Sequence, residues 1–136
     1  MLVTTLEGYA IKALIYLAKK KDNRATIREI SKENNISFSY ILRICSMLRS
    51  NGLLDSVRGR SGGYILTRNP TDISLYEIIQ AVGRETIEIK CNYGKRKDTP
   101  CIPADCLALI PWEKTKLKVD NLFKSISLKN LMEGKK

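Results

Sequence analysis

The chain contains no histidine. That removes the side chain most used for general acid–base work near neutral pH and the usual nitrogen ligand of zinc. There is no phosphate-cradling glycine loop ending in lysine and no nucleophile–base constellation, so an enzyme is not expected. Long apolar runs are missing as well. The longest near the N-terminus, "ALIYLA", is six residues and runs into "KKK", far short of the ~20 apolar residues that span a bilayer as a helix. No small-residue cleavage site follows it, so neither signal peptide nor membrane anchor is expected, and the expected compartment is the cytoplasm. Disulfides are rare in that reducing setting. Acid is scarce too: 14 Asp and Glu face 24 Lys and Arg, for a net charge of +10 in 136 residues. A balance this basic suits a polyanionic partner, because neutralising phosphates releases condensed counterions. Between Arg43 and Arg68 there are five arginines and a single acid, Asp55.

The sequence does carry clear helix signals. Capping boxes at Thr4-x-x-Glu7, Thr26-x-x-Glu29 and Ser74-x-x-Glu77 predict three helix starts. The first helix runs to about Lys20, with Leu6, Tyr9, Ala10, Ala13, Leu14 and Leu17 on one face; the second ends near Asn34. Ser37 caps a helix over roughly 38–50 that buries Ile41, Ile44, Cys45 and Leu48, and Gly52 ends it. Two β-prone runs, "DSV" and "YILT", then flank a glycine-rich turn carrying Arg58 and Arg60, a hairpin signal. A short helix, the "NNIS" turn, a second helix and a basic hairpin make a helix-turn-helix followed by a wing.

The expected fold is therefore mainly α: a winged helix-turn-helix with a β-hairpin wing and a long C-terminal helix. The division is a DNA-binding domain over 1–85, a cysteine loop over 86–110, and a dimerisation helix with its tail over 111–136. In the last part Pro111 sits in a first turn, and Trp112, Val119, Leu122 and Ile126 form a stripe with Leu117 and Phe123 beside it. Such a stripe fits a homodimer, which would let a small reader cover two half-sites of a pseudo-palindromic duplex.

In the groove-entering helix the outward face is predicted to carry Ser39, Leu42, Arg43, Ser46 and Arg49. Ser37, Ser39 and Tyr40, near its N-terminus, suit phosphate or base-edge hydrogen bonds. Arg43 suits a guanine and Leu42 a thymine methyl. Arg58, Arg60 and Gly62, with its neighbours Gly59 and Gly63, place the wing against the backbone or minor groove. A basic winged fold serving only as a protein-interaction module is the competing role.

The segment "CNYGKRKDTPCIPADC" holds Cys91, Cys101 and Cys106 in sixteen residues. Small hydrophobes, disulfide halves, zinc ligands and iron–sulfur ligands are the options. Three is odd for disulfides, paired C-x-x-C knuckles are missing, and gaps of nine and four residues miss the ferredoxin pattern. Cys45 is separate, on the inward face of its helix, where a free thiol acts as a small apolar group.

The run "ISFSYILRICSMLRSNGLLDSVRGRSGGYILTRNPTDISLYEIIQAV" resembles the Rrf2 family of bacterial winged-helix transcription regulators, which includes the IscR, NsrR and CymR kinds. The likeness extends to "GYAIKALIYLA", the three-cysteine loop, Trp112 and "SISLKNL". The resemblance implies a homodimeric, sequence-specific DNA-binding repressor or activator, with Arg58 and Arg60 at the family's DNA-contacting wing position. It also implies that Cys91, Cys101 and Cys106 ligate an iron–sulfur cluster. IscR-like members add a histidine where this chain has Leu109, which disfavours a 2Fe–2S site. NsrR-like members add a carboxylate near the start of the first helix, for which Glu7 is the candidate ligand and 4Fe–4S the matching cluster. Glu7 has a rival role in its capping box, and Asp105 is a further candidate. CymR-like members imply a cluster-free repressor of cysteine metabolism, answering to thiol state or a protein partner.

Overall fold

A computed structural model describes residues 3–60, 62–88 and 106–134. Six helices and a small sheet follow in the order α1 (Thr5–Lys19), β1 (Arg24–Ala25), α2 (Ile27–Asn34), α3 (Phe38–Ser50), β2 (Leu54–Val57), β3 (Gly63–Leu66), a 3-10 turn (Pro70–Asp72), α4 (Leu75–Ala81), α5 (Leu109–Ser125) and α6 (Leu128–Met132). The helix boundaries fall where their caps put them. Thr26 accepts from Glu29 N–H at 3.1 Å while Glu29 accepts from Thr26 N–H at 2.7 Å, and Ser74 and Glu77 repeat the exchange at 3.2 and 2.9 Å. Between α2 and α3, Asn35 takes the left-handed conformation at φ 52° and Ile36 N–H closes onto Ser31 C=O at 3.0 Å. This is the turn of the helix-turn-helix. Gly52 (φ 77°) ends α3, as its position predicted.

The core is built on α1 and α3. Ala10, Ala13, Leu14 and Leu17 from α1 meet Ile41, Ile44, Cys45 and Leu48 from α3, joined by Ile30, Leu53, Ile73, Ile78 and Leu128, and all are buried. Each fully buried leucine or isoleucine contributes about 1.5–3 kcal/mol. The predicted hairpin forms, with Leu54 opposite Leu66 and Val57 opposite Gly63. It is joined by β1, two residues too short to carry a strand period of their own. Arg24 pairs with Ile65 and Ala25 with Tyr64, giving an antiparallel sheet in the order β1-β3-β2.

Two features differ from the sequence expectation at the C-terminal end. α5 begins at Leu109, two residues before Pro111, and the proline occupies its first turn, where no N–H is needed. The tail after α5 returns to the core: Ser127 bridges Ser74, Leu128 N–H donates to Ile73 C=O at 2.7 Å, and Leu128 is fully buried under α1. Its helix α6 opens on a fourth box, Ser127 with Asn130.

Candidate nucleic-acid interface and cysteine site

α3 presents the face its periodicity predicted. Ser37, Ser39, Leu42, Arg43, Ser46 and Arg49 are exposed, and Tyr40 is half-buried. Ser37 Oγ accepts from Tyr40 N–H at 3.4 Å, so the hydroxyl caps the helix and still has its proton to donate. Tyr40 packs edge-on against Tyr9 of α1, ring centroids 5.6 Å apart, and Lys12 Nζ lies 5.7 Å from the Tyr9 ring.

The wing turn carries Arg58 and Arg60, both exposed. Neither they nor Arg43 and Arg49 form an ion pair among the described residues. Exposed arginines without a carboxylate partner are the kind of side chain that phosphate recruits. Arg68 is different in kind: it pairs with Glu77 at 2.8 Å and donates to Asp72 C=O at 3.0 Å, locking the sheet to α4. The wing glycines also separate. Gly63 has φ 130°, and a Cβ there would lie 2.5 Å from Ala25 C=O, so its need for glycine comes from sheet pairing inside the molecule. Gly59 (φ 135°) shapes the turn, and Gly62, whose nearest atoms would be 3.7 Å from a Cβ, has no such packing constraint.

Cys91 and Cys101 lie outside the described residues, as do Lys95, Arg96, Lys97 and Asp105. Cys106 is partly buried just before α5; its Sγ accepts from Leu109 N–H at 3.3 Å and its C=O from Ile110 N–H at 3.2 Å. The Leu109 N–H thus holds the sulfur at the start of α5. Among the described residues no three potential ligands converge on one point.

Glu7 is 3% exposed, and both its oxygens are engaged. Oε2 accepts from Thr4 N–H at 2.8 Å and from the Thr4 hydroxyl, and Oε1 lies 3.3 Å from Arg84 Nε. Burial opposes its ionisation, but hydrogen bonds from Thr4 and the backbone, with the Arg84 charge, outweigh this and hold the carboxyl below its ordinary range. In this arrangement Glu7 serves both the cap and the ion pair. Cys45 is fully buried, and desolvation pushes its thiol up to about 12, so it is a core residue and chemically inert.

A polar staple that no sequence spacing signals joins Thr86 to α5. Thr86, fully buried, donates its hydroxyl to Asp120 Oδ1 of α5, while Lys116 Nζ lies 3.6 Å from Asp120 Oδ2 and 3.4 Å from Glu85. On α5, Trp112 (56%) and Leu122 (57%) are exposed, with Val119 and Phe123 half-buried beside them.

A helix-turn-helix with exposed arginines on its second helix and on a basic wing defines a DNA-binding transcription regulator, and known proteins agree. Residues 3–134 match the model of the Rrf2 family, described as an iron-dependent transcriptional regulator, and the chain belongs to that family. It is 33% identical over 136 residues to the HTH-type transcriptional regulator IscR of Xenorhabdus nematophila, covering 98% of this chain and 80% of that protein. Among solved structures, CymR, the global cysteine regulator of B. subtilis, superposes with TM-score 0.74 at 26% identity over 100% of this chain and 99% of that one. T. potens IscR superposes with TM-score 0.71 at 27% identity, covering 98% and 87%. The family and these relatives are transcription regulators and not enzymes.

Proposed function

We propose that this regulator is a homodimer that reads a pseudo-palindromic operator and whose promoter occupancy depends on an iron–sulfur cluster held by Cys91, Cys101 and Cys106. The observation that carries the DNA half is the alignment of Ser39, Leu42 and Arg43 on the exposed face of α3, with Arg58 and Arg60 exposed on the wing and in no ion pair among the described residues. In this reading Ser37, Ser39 and Tyr40 hold phosphates, Arg43 forks onto a guanine, and Leu42 meets a thymine methyl. IscR-like members carry glutamate at the Leu42 position, so this chain's operator differs from theirs at one symmetric pair, and Leu42→Glu shifts the preferred base there.

The three thiolates suit a 4Fe–4S cluster better than a 2Fe–2S one, since Leu109 stands where IscR-like members have histidine. When bound, such a cluster supplies an iron centre sensitive to oxygen, nitric oxide or iron supply. The chain's own residues provide the coupling. Arg84 ties the backbone entering the cysteine segment to Glu7 in the first turn of α1, and Tyr9 of that helix packs on Tyr40 of α3. Cys106, at the other end of the segment, opens α5, the proposed dimer helix. A change in the order of the cysteine segment thus bears on both reading head and dimer, as a regulatory coupling requires. Residues 1–85 then read DNA, 86–110 sense, and 111–136 dimerise, with 127–132 also closing the core.

A second reading is a cluster-free regulator of the CymR kind, favoured by the likeness to B. subtilis CymR over nearly the whole of both chains. Iron and acid-labile sulfide measured in protein purified without oxygen separate the two. The Cys91, Cys101, Cys106 triple serine variant is expected to lose visible absorbance and to change operator affinity. Affinity equal to that of the anaerobic wild type would sink the switch. Alanine at both Arg58 and Arg60 is expected to weaken binding and to lower the salt slope by about one unit per arginine; an unchanged slope would remove the wing from the interface.

A further inference from the structure

The exposed face of α3 is not uniformly polar. Phe38, in its first turn, is 50% exposed, and Leu42, one turn later, is 44% exposed. Residues four apart on a helix stack on the same side, with Cβ atoms about 5–6 Å apart. Phe38 and Leu42 therefore form a continuous apolar strip, while Ser39, Arg43 and Ser46 form a polar strip beside it on the same exposed side. Among the described residues, nothing covers these two large apolar side chains, at the tip of a helix whose exposed side is otherwise lined by serine and arginine. They also continue the α3 face proposed to enter the major groove. The one strongly apolar feature a base pair shows there is the thymine C5-methyl, to which alanine, threonine-methyl and phenylalanine contacts are made.

We infer that Phe38 is a second apolar specificity residue, and that Phe38 and Leu42 together read two thymine methyls in each half-site, next to the guanine taken by Arg43. The inference rests on the assignment of α3 as the reading helix. With a rise of about 3.4 Å per base pair, the strip spans methyls about one or two base pairs apart. The recognised half-site therefore carries a closely spaced thymine pair, on one strand or across both.

The test uses the full-length wild-type chain and an operator recovered by selection from a random duplex pool. Each thymine of the half-site is replaced in turn by deoxyuracil, which removes the methyl and leaves every hydrogen-bonding group in place. Two positions per half-site are expected to weaken binding by about three- to fivefold each, the value of one buried methyl-sized group. In Phe38→Ala one of these effects disappears and the other remains; in Leu42→Ala the roles are exchanged. The thermal midpoint and the far-ultraviolet helix signal, both expected to stay at wild-type values, show that each variant folds. An enriched operator that is insensitive to deoxyuracil, or whose sensitivity is the same in Phe38→Ala as in wild type, overturns this inference and leaves the DNA-reading assignment standing. A pool with no enriched sequence overturns both.

Discussion

Arg84 Nε lies 3.3 Å from Glu7 Oε1, so the backbone leaving α4 is fastened to the first turn of α1 by an ion pair whose carboxylate is almost wholly buried. That contact joins two segments 77 positions apart (84 minus 7) and places the entrance to the cysteine segment beside the helix that supports Tyr40. Removing the guanidinium leaves Glu7 with its Thr4 hydrogen bonds. Removing the carboxylate strips the cap and leaves Arg84 without its partner.

Acid should unfold the protein through its capping glutamates. The carboxyls of Glu7, Glu29 and Glu77 are all held below their ordinary value of 4.5. For Glu29 the backbone and side chain of Thr26 are the cause; for Glu77 burial is outweighed by Ser74 and Arg68. A carboxyl lowered in the folded state contributes stability above its unfolded pKa and loses it as pH falls through the folded one. Denaturation midpoints should therefore drop as pH falls below about 4.5. With no histidine to titrate, they should stay nearly level between about pH 5.5 and 7.5. Glu7→Gln should flatten the acid limb relative to wild type.

Gly63 and Gly62 should respond oppositely to alanine. At Gly63 the new Cβ meets Ala25 C=O at 2.5 Å in a left-handed backbone, and a loss of roughly 2–4 kcal/mol is expected in urea unfolding. At Gly62 stability should stay within about 0.5 kcal/mol, so any loss of operator affinity in Gly62→Ala reports the interface directly.

Thr86 and Asp120 should be strongly coupled. Asp120→Ala leaves a fully buried hydroxyl without its acceptor, at a cost of about 1–3 kcal/mol. Thr86→Val combined with Asp120→Ala should cost less than the two single changes added together, the mark of a shared contact in a double-mutant cycle.

The single tryptophan offers a reading of assembly. Trp112 is exposed on the isolated chain, so its emission should shift to the blue and resist quenching as concentration drives α5 against a second copy. Leu122→Asp should raise the dimer dissociation constant about 10- to 100-fold, measured by sedimentation, on the scale of one buried leucine.

What the sequence determined by itself is local. Serine and threonine three positions before glutamate set the starts of α1, α2 and α4, because an N-cap hydroxyl and an N3 carboxylate satisfy each other within one turn. Alternation and a glycine turn set the hairpin, and the 3.6-residue period of Ile41, Ile44, Cys45 and Leu48 oriented α3 and so exposed Arg43. Tertiary structure decided what depends on partners far away in the chain. Two residues at Arg24–Ala25 are too short to show a strand period, and they become one only because Gly63 lets β3 approach. The return of Leu128 under α1, the Thr86–Asp120 staple and the Arg84–Glu7 pair carry no spacing signal, since each joins groups that only the packed core brings together. Arg68 and Arg58 look alike in sequence, and only the position of Glu77 gives Arg68 an ion pair while Arg58 stays exposed and has none among the described residues.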